Sequence, residues 1–394
     1  MSPLRSYVRP LVGALLLLLL APSGLADQID VPGDYAVLQD AVDAASPGDV
    51  IVVDGGEHPS IVVDKELSIV GVAGNPPFLH VDFGVGPLGQ DPAVTLDGPG
   101  SGRVVLSGVE VGGTAGGVVN GAADPIAGGG FDELWILHST VTATEWVNPT
   151  GAGFAARAVS VDVGHVLVED STIRGGAPIS DSVWTDAFVY SGGAAISTTG
   201  DVSCFDSIVV GGDGLTAYMF TGIFDPGGCQ NLFGGLGGRA VVTPGTLWHA
   251  NTIFAAGEGA TISVNGSSGP EYVCNLPSGP ALGVGAAITF GSLMLPPAGG
   301  LGPGDTLTLQ WISPDTASQL VFSVVPTAPV RVGTAGWLYM DPEFLVIIPV
   351  PGAGVVTLPV ATSDPVLTGF PLAFQIYTSA VGLSRPVFAT FLPD

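Results

Sequence analysis

Five stretches of this chain align without gaps: Arg103-VVLSGVEVGG, Glu133-LWILHSTVTA, His165-VLVEDSTIRGG, Asp201-VSCFDSIVVGG and Gly245-TLWHANTIFAAG. Each places two apolar residues at period two, then a turn, then another apolar residue, as in Val166, Val168 and Ile173. Period two is the signature of extended strand. The equivalent residues Val111, Val141, Ile173, Val209 and Ile253 are 30, 32, 36 and 44 positions apart. A regular β-solenoid coil needs a little over about twenty residues, so the excess must leave as loops. Further short strands lie between the copies, at Ala158-VSVDV and Ala194-AISTT, and Leu67-SIVGVAG is a degenerate earlier copy. The expectation is an all-β chain whose rungs pair in parallel, each with the next. The competing architecture, an antiparallel β-sandwich, leaves unexplained why the Ser/Thr-Ile/Val-x-Gly-Gly bend recurs in phase with the apolar pair.

Composition agrees with that reading. Gly (60) and Pro (33) make up about a quarter of the 394 residues, a level that raises disorder as an alternative. Against it, 46% of residues are apolar, enough for burial to offset chain entropy. Charged residues are only 11%, which argues against coiled coils and helix-rich domains. A net charge of −26 argues against nucleic acid and anionic membrane as partners.

The first 26 residues read as an export leader. Arg5 and Arg9 precede the apolar run Leu11 to Ala21, which is too short to span a bilayer. Gly24-Leu25-Ala26 places small residues at −3 and −1 of a cleavage site before Asp27. No later segment is long and apolar enough to span, so the expected location is secreted or cell-surface. In such a compartment Cys204, Cys229 and Cys274 can form at most one bridge, and their spacing excludes a structural zinc site.

After the leader, Asp34 is placed to N-cap a short helix with Tyr35, Leu38 and Val42 on one face. Ser46-Pro47-Gly48-Asp49 then returns the chain to strand. A helix here covers the open end of a stack of strands. With these residues in view, Val31-PGDYAVLQDAVDAASPGD, Val50-IVVDGG and Val62-VDKELSIVG resemble the amino-terminal cap of right-handed parallel β-helix proteins of the pectate-lyase-like superfamily. The resemblance implies that residues 27–282 form such a β-helix. One departure is Gly56-Glu57-His58, where members often have Gly-x-Tyr.

Beyond residue 283 the rung pattern stops. Leu295-PPAGGLGPGD is a joint, followed by seven alternating runs from Thr306-LTLQW to Val387-FATF, which read as a β-sandwich over 283–394. This part resembles the carboxy-terminal β-rich domain of secreted proteins from planctomycete-type bacteria, with Gly369 and Gln375 in the matching core.

Chemistry is thinly marked. Hydrolases of the superfamily share Asn-Thr-Asp, Gly-His-Gly and Arg-Ile-Lys segments, and its lyases pair Asp-bound calcium with a basic residue. None of these motifs occurs here; Gly164-His165-Val166 is the nearest fragment. The rung alignment itself places residues together. One column reads Arg103, Glu133, His165, Asp201, Gly245, and a second Gly108, His138, Asp170, Asp206, Ala250. Glu133 and Asp201 flanking His165 would raise its pKa and suit acid/base work on a sugar. Asp170 and Asp206 on adjacent strands would repel by about 1 kcal/mol in water and about 3–4 at an effective dielectric near 20, which favours a bound calcium or a raised pKa. The plainer reading of both columns is a polar ladder at a solvated bend, where Asp and His tolerate turn geometry.

Three insertions, Thr144-EWVNPTGAGF, Ile179-SDSVWTDAFVY and Leu215-TAYMFTGIFDPGG, concentrate aromatics. Trp146, Trp184, Tyr190 and Tyr218 are the candidate sugar-stacking residues; the alternative is that they anchor the loops. Taken together, these features point to a secreted or surface protein that binds polysaccharide or cell-envelope components, or has a structural role among them. The alternative is a polysaccharide lyase or glycoside hydrolase. Calcium is the only cofactor the carboxylates suggest.

Overall fold

A computed structural model of the chain describes residues 27–72, 74–83, 90–113, 123–143, 146–147, 155–179, 188–189, 191–214, 217–221, 233–234, 236–259, 261–266, 272–275, 278, 280–289, 294–295, 306–323, 326–332, 336–340, 342, 345–359, 371–379, 382–384 and 386–390. Within these, strands dominate and the helix is short. No helix among the described residues is long and apolar enough to cross a membrane.

The amino-terminal part is built of three parallel ladders. One runs through Gln28–Val31, Val50–Val53, Leu67–Gly71, Arg103–Ser107 and the carboxy-terminal halves of Ile126–Leu137 and Val159–Glu169, then Asp201–Phe205. It continues into Val241–Ala250 and Leu282–Thr289, so parallel pairing extends beyond residue 282. A second ladder stacks Gly56–His58, Pro77–His80, Glu110–Gly112, Thr140–Thr142, Thr172–Arg174, Ile208–Val210 and Ile253–Ala255. A third joins Ile61–Val63 and Val94–Asp97 to the amino-terminal halves of Ile126–Leu137 and Val159–Glu169, then Ile196–Thr198. The long strands bend and so serve two ladders. Val159–Glu169, Ile196–Thr198, Val241–Ala250 and Asp201–Phe205 therefore close a ring of pairings.

Inward residues of all three ladders meet in one core that includes Ile51, Ile69, Leu106, Ile136, Val168, Ile173 and Cys204. The helix Leu38–Ala44 covers its first rung with Leu38, Ala41 and Val42. Asp34 does not cap that helix. Val37 occupies the N-cap without a side-chain bond, and Asp34 Oδ2 accepts from Asp30 N at 2.9 Å. Tyr35 is exposed rather than on the packed face.

Register follows the sequence alignment through four rungs and then slips. Val111, Val141, Ile173 and Val209 are direct neighbours, but Val209 faces Phe254, not Ile253. Leu247 likewise pairs with Val202, so Thr246 and not Gly245 follows Asp201. The fifth rung keeps one spacing throughout, with Ile196 beside Val241, Val202 beside Leu247 and Ile208 beside Ile253; the bulge at Pro244-Gly245 falls against the following strand, Leu282–Thr289.

The carboxy-terminal part is antiparallel. Thr306–Ser323 and Val346–Pro359 each merge two runs that the sequence suggested were separate, and they pair with each other. Pro371–Thr378, Val387–Thr390, Gly382–Leu383 and Met294–Leu295 complete a six-stranded sheet, beside the pair Pro326–Val332 and Gly336–Met340. One face of this sheet packs within its own cluster around Leu320, Phe322 and Phe374. Val321, Ala373 and Phe388, with Tyr339 and Met340, pack instead on the outer side of the first ladder, against Val105, Trp135, Leu167, Phe205 and Trp248. The strands of that ladder are therefore buried on both sides, which is why they read as continuous runs such as Leu134-Trp135-Ile136-Leu137.

Candidate functional site

The acid–histidine column exists. Glu133 is the direct cross-strand neighbour of His165, and His165 of Asp201. The neighbours do not, however, bond to the imidazole. Glu133 Oε2 takes Arg103 Nε at 2.6 Å, and that guanidinium lies 4.1 Å from the Trp135 ring centroid. Asp201 Oδ1 accepts from Thr246 N at 2.7 Å. His165 Nε2 instead meets Ser203 Oγ at 2.8 Å, and Ser203 Oγ meets the Tyr339 hydroxyl at 3.1 Å. Trp248 stands edge-on to the imidazole, 6.3 Å between centroids.

Burial decides the electrostatics. His165 is 3% exposed and Ser203 fully buried, because the carboxy-terminal sheet covers the column. Desolvation outweighs the attraction of Glu133 and Asp201, so the His165 pKa falls to about 4. That corrects the expected rise and leaves a neutral ring at pH 7. Burial also pushes the Tyr339 hydroxyl and the Cys204 thiol upward. Cys204 is a free thiol inside the core; Cys229 lies outside the described residues, and Cys274 lies in the strand Tyr272–Asn275.

A serine hydroxyl at 2.8 Å from an imidazole is the first half of a nucleophile–base pair. The second half is missing. His165 Nδ1 has no hydrogen-bond partner, so no carboxylate holds the ring as an orienting acid would. Neither group reaches a surface where substrate could sit.

The second column is a structural bend. Gly108, His138, Asp170, Asp206 and Asn251 all have positive φ, between 43° and 65°. This single left-handed residue turns each rung from the first ladder into the second, and the one-residue slip puts Asn251 where the alignment had Ala250. Asp, Asn and His tolerate this conformation better than most side chains. Asp170 Oδ2 lies 3.0 Å from His138 Nδ1, and Asp206 Oδ1 accepts from Asn251 Nδ2 at 3.1 Å. The two carboxylates thus turn to opposite neighbours rather than to one shared cation. Among the described residues, no group of three or more His, Cys, Asp or Glu is placed to hold a metal ion.

After the bends at His138, Asp170, Asp206 and Asn251 the next residue is a hydroxyl, and the sequence reading passed over it. Ser139 Oγ accepts from Val109 N at 3.1 Å and donates to Leu137 O at 2.7 Å. Ser171 and Ser207 repeat the pattern, and Thr252 Oγ1 donates to Ala250 O. The signal was present as His-Ser, Asp-Ser, Asp-Ser and Asn-Thr in phase. Glu169, outward on the same ladder and 1% exposed, accepts Phe388 N at 3.0 Å.

The aromatic candidates divide. Trp146 lies in the strand Trp146–Val147, paired in parallel with Pro178–Ile179, and Tyr218 in Ala217–Thr221, paired with Thr261–Gly266. Trp184 and Tyr190 lie outside the described residues. No family model, curated protein or solved structure matches this chain.

Proposed function

We propose that this is an exported, non-catalytic scaffold: a right-handed parallel β-helix of the pectate-lyase-like kind over 27–282, with a β-sandwich over 283–394, acting as a carbohydrate-associated binding or structural element. The β-helix is the reading that three in-register parallel ladders around one core support best. The observation that carries the non-catalytic part is His165. Its column is the best-placed acid/base set in the sequence, yet the ring is buried, neutral and hydrogen-bonded to Ser203 beneath a second sheet. General acid–base work needs a group that exchanges protons with bound substrate.

The carbohydrate association rests on the aromatic insertions carrying Trp146, Trp184, Tyr190 and Tyr218. In the sequence these insertions follow the second-ladder strands Thr140–Thr142, Thr172–Arg174 and Ile208–Val210 of successive rungs. Neither nucleic acid nor an anionic surface suits the net charge of −26.

The test is incubation with acidic and neutral polysaccharides, with and without calcium. Retention of a glycan without new reducing ends or unsaturated products, weakened by Trp146→Ala or Tyr218→Ala, is the expected result. Turnover that disappears in His165→Gln would overturn the non-catalytic reading. Failure to retain any glycan would reduce the role to a structural one.

A further inference from the structure

The first strand begins at a buried carboxylate. Asp49, 6% exposed, follows the turn that ends the capping helix. Its Oδ2 accepts Ser46 N at 2.7 Å and its Oδ1 accepts Asp27 N at 2.9 Å. Around this point the first three rungs are tied together: Val50 N donates to Asp27 O, Ser68 N to Asp49 O, and Gly48 N to Glu66 O. The cations of the described ion pairs go elsewhere. Lys65 pairs with Asp64, Arg103 with Glu133, His138 with Asp170 and Arg174 with Asp213. Asp49 is thus a buried carboxylate bonded only to neutral amides, beside the negative end of a helix and facing a cleft of about 530 Å³ whose walls include Asp34 and Tyr35. A buried carboxylate in that position favours a cation.

We propose that Asp49 is the seat of the mature amino terminus. Hydrolysis of the Ala26–Asp27 bond leaves an α-ammonium group on Asp27 that stays on Asp49 and locks the first rung to the cap. This rests on reading residues 1–26 as an export leader. In the step, a leader-type endopeptidase adds water to the Ala26 carbonyl and the C–N bond breaks. Ala26 departs as a carboxylate, and the Asp27 nitrogen takes up both protons of the water to become an ammonium. The existing 2.9 Å amide–carboxylate bond then becomes a charge-assisted ion pair. Cleavage therefore strengthens a contact already present, and no rearrangement of the strand is needed.

The full chain is to be expressed in a secreting host and its terminus read by sequencing and intact mass, with Asp27 expected first. Light reductive ¹³C-methylation then labels only two amines, because Lys65 is the sole lysine. The α-amine of the native protein is expected to titrate above the ordinary range of about 7.7–8.0, and to return to it in Asp49→Asn. A chain with Gly-Ser placed before Asp27 is expected to unfold about 2 °C or more below the mature form. Asp49→Asn should cost the mature form more than the extended one. Should Asp49→Asn not fold, the native titration and the extended chain still decide the matter. A secreted protein beginning elsewhere, or an α-amine in the ordinary range with equal melting of both forms, overturns the seat and leaves the leader reading intact. A product still carrying residues 1–26 overturns both.

Discussion

Glu169 Oε1 accepts a 3.0 Å hydrogen bond from the backbone N–H of Phe388, 219 residues later in the chain. Phe388 also meets Trp135 edge-on at 5.4 Å, and Tyr339 meets Phe205 at 5.5 Å. The antiparallel sheet is thus fixed to the parallel ladder by buried polar bonds inside an apolar contact, not by a linker alone.

Removing the Glu169 acceptor should leave the Phe388 amide buried and unmet. Glu169→Ala is expected to lower unfolding free energy by about 1–3 kcal/mol in urea titration. Glu169→Gln keeps an acceptor oxygen and should cost less than half as much. Equal costs would show that the bond contributes nothing.

His165 sets an acid-side slope. Its pKa in the fold, about 4, lies below the ordinary 6.5, so both folded and unfolded chains are neutral there above that value. As pH falls from 6.5 towards 4 the unfolded chain binds a proton that the folded one refuses. Stability should drop across that window by about 3 kcal/mol and level off below it. His165→Gln should remove that part of the slope when urea midpoints are compared from pH 7 to pH 4. An unchanged slope would show that the ring is not desolvated.

The left-handed column predicts an unusual substitution pattern. Gly108 already occupies the position that Asp206 holds three rungs later on. Asp206→Gly should therefore be nearly neutral, whereas Asp206→Val should cost about 1–2 kcal/mol by denaturant midpoint. Added calcium should not raise the melting temperature of the wild type; a rise lost in Asp206→Gly would reinstate a cation there.

The outer ladder face is a covered apolar surface. A chain ending at Thr289 would leave Val105, Trp135, Leu167, Phe205 and Trp248 uncovered, and should bind ANS strongly and self-associate. In the full chain Trp135→Ala should cost about 3–5 kcal/mol. A truncated chain that stays monomeric and silent to ANS would show that the sheet is not this face's natural cover.

Much was legible from residues alone. The in-phase apolar pairs specified strands, and because each rung repeats the last, they also specified neighbours: Arg103 beside Glu133, Glu133 beside His165, His165 beside Asp201. Local periodicity is enough for this, since side chains alternate along a strand and stacking carries one register into the next. The fifth rung was read one residue out of register, and only the ladder pairing puts Leu247 beside Val202 and Phe254 beside Val209.

The chemistry of the column was not local. The sign of the His165 shift depends on whether its outward side meets water or protein. That was decided by Tyr339, 136 residues beyond Ser203, and by the sheet that carries Phe388. Alternation in a strand says which residues share a side; it does not say what will cover them. The sequence by itself determined the rungs, their order and the polar columns. Only the tertiary structure decided that one column is sealed and the other is a bend, because desolvation is a property of everything packed around a group and not of its neighbours in the chain.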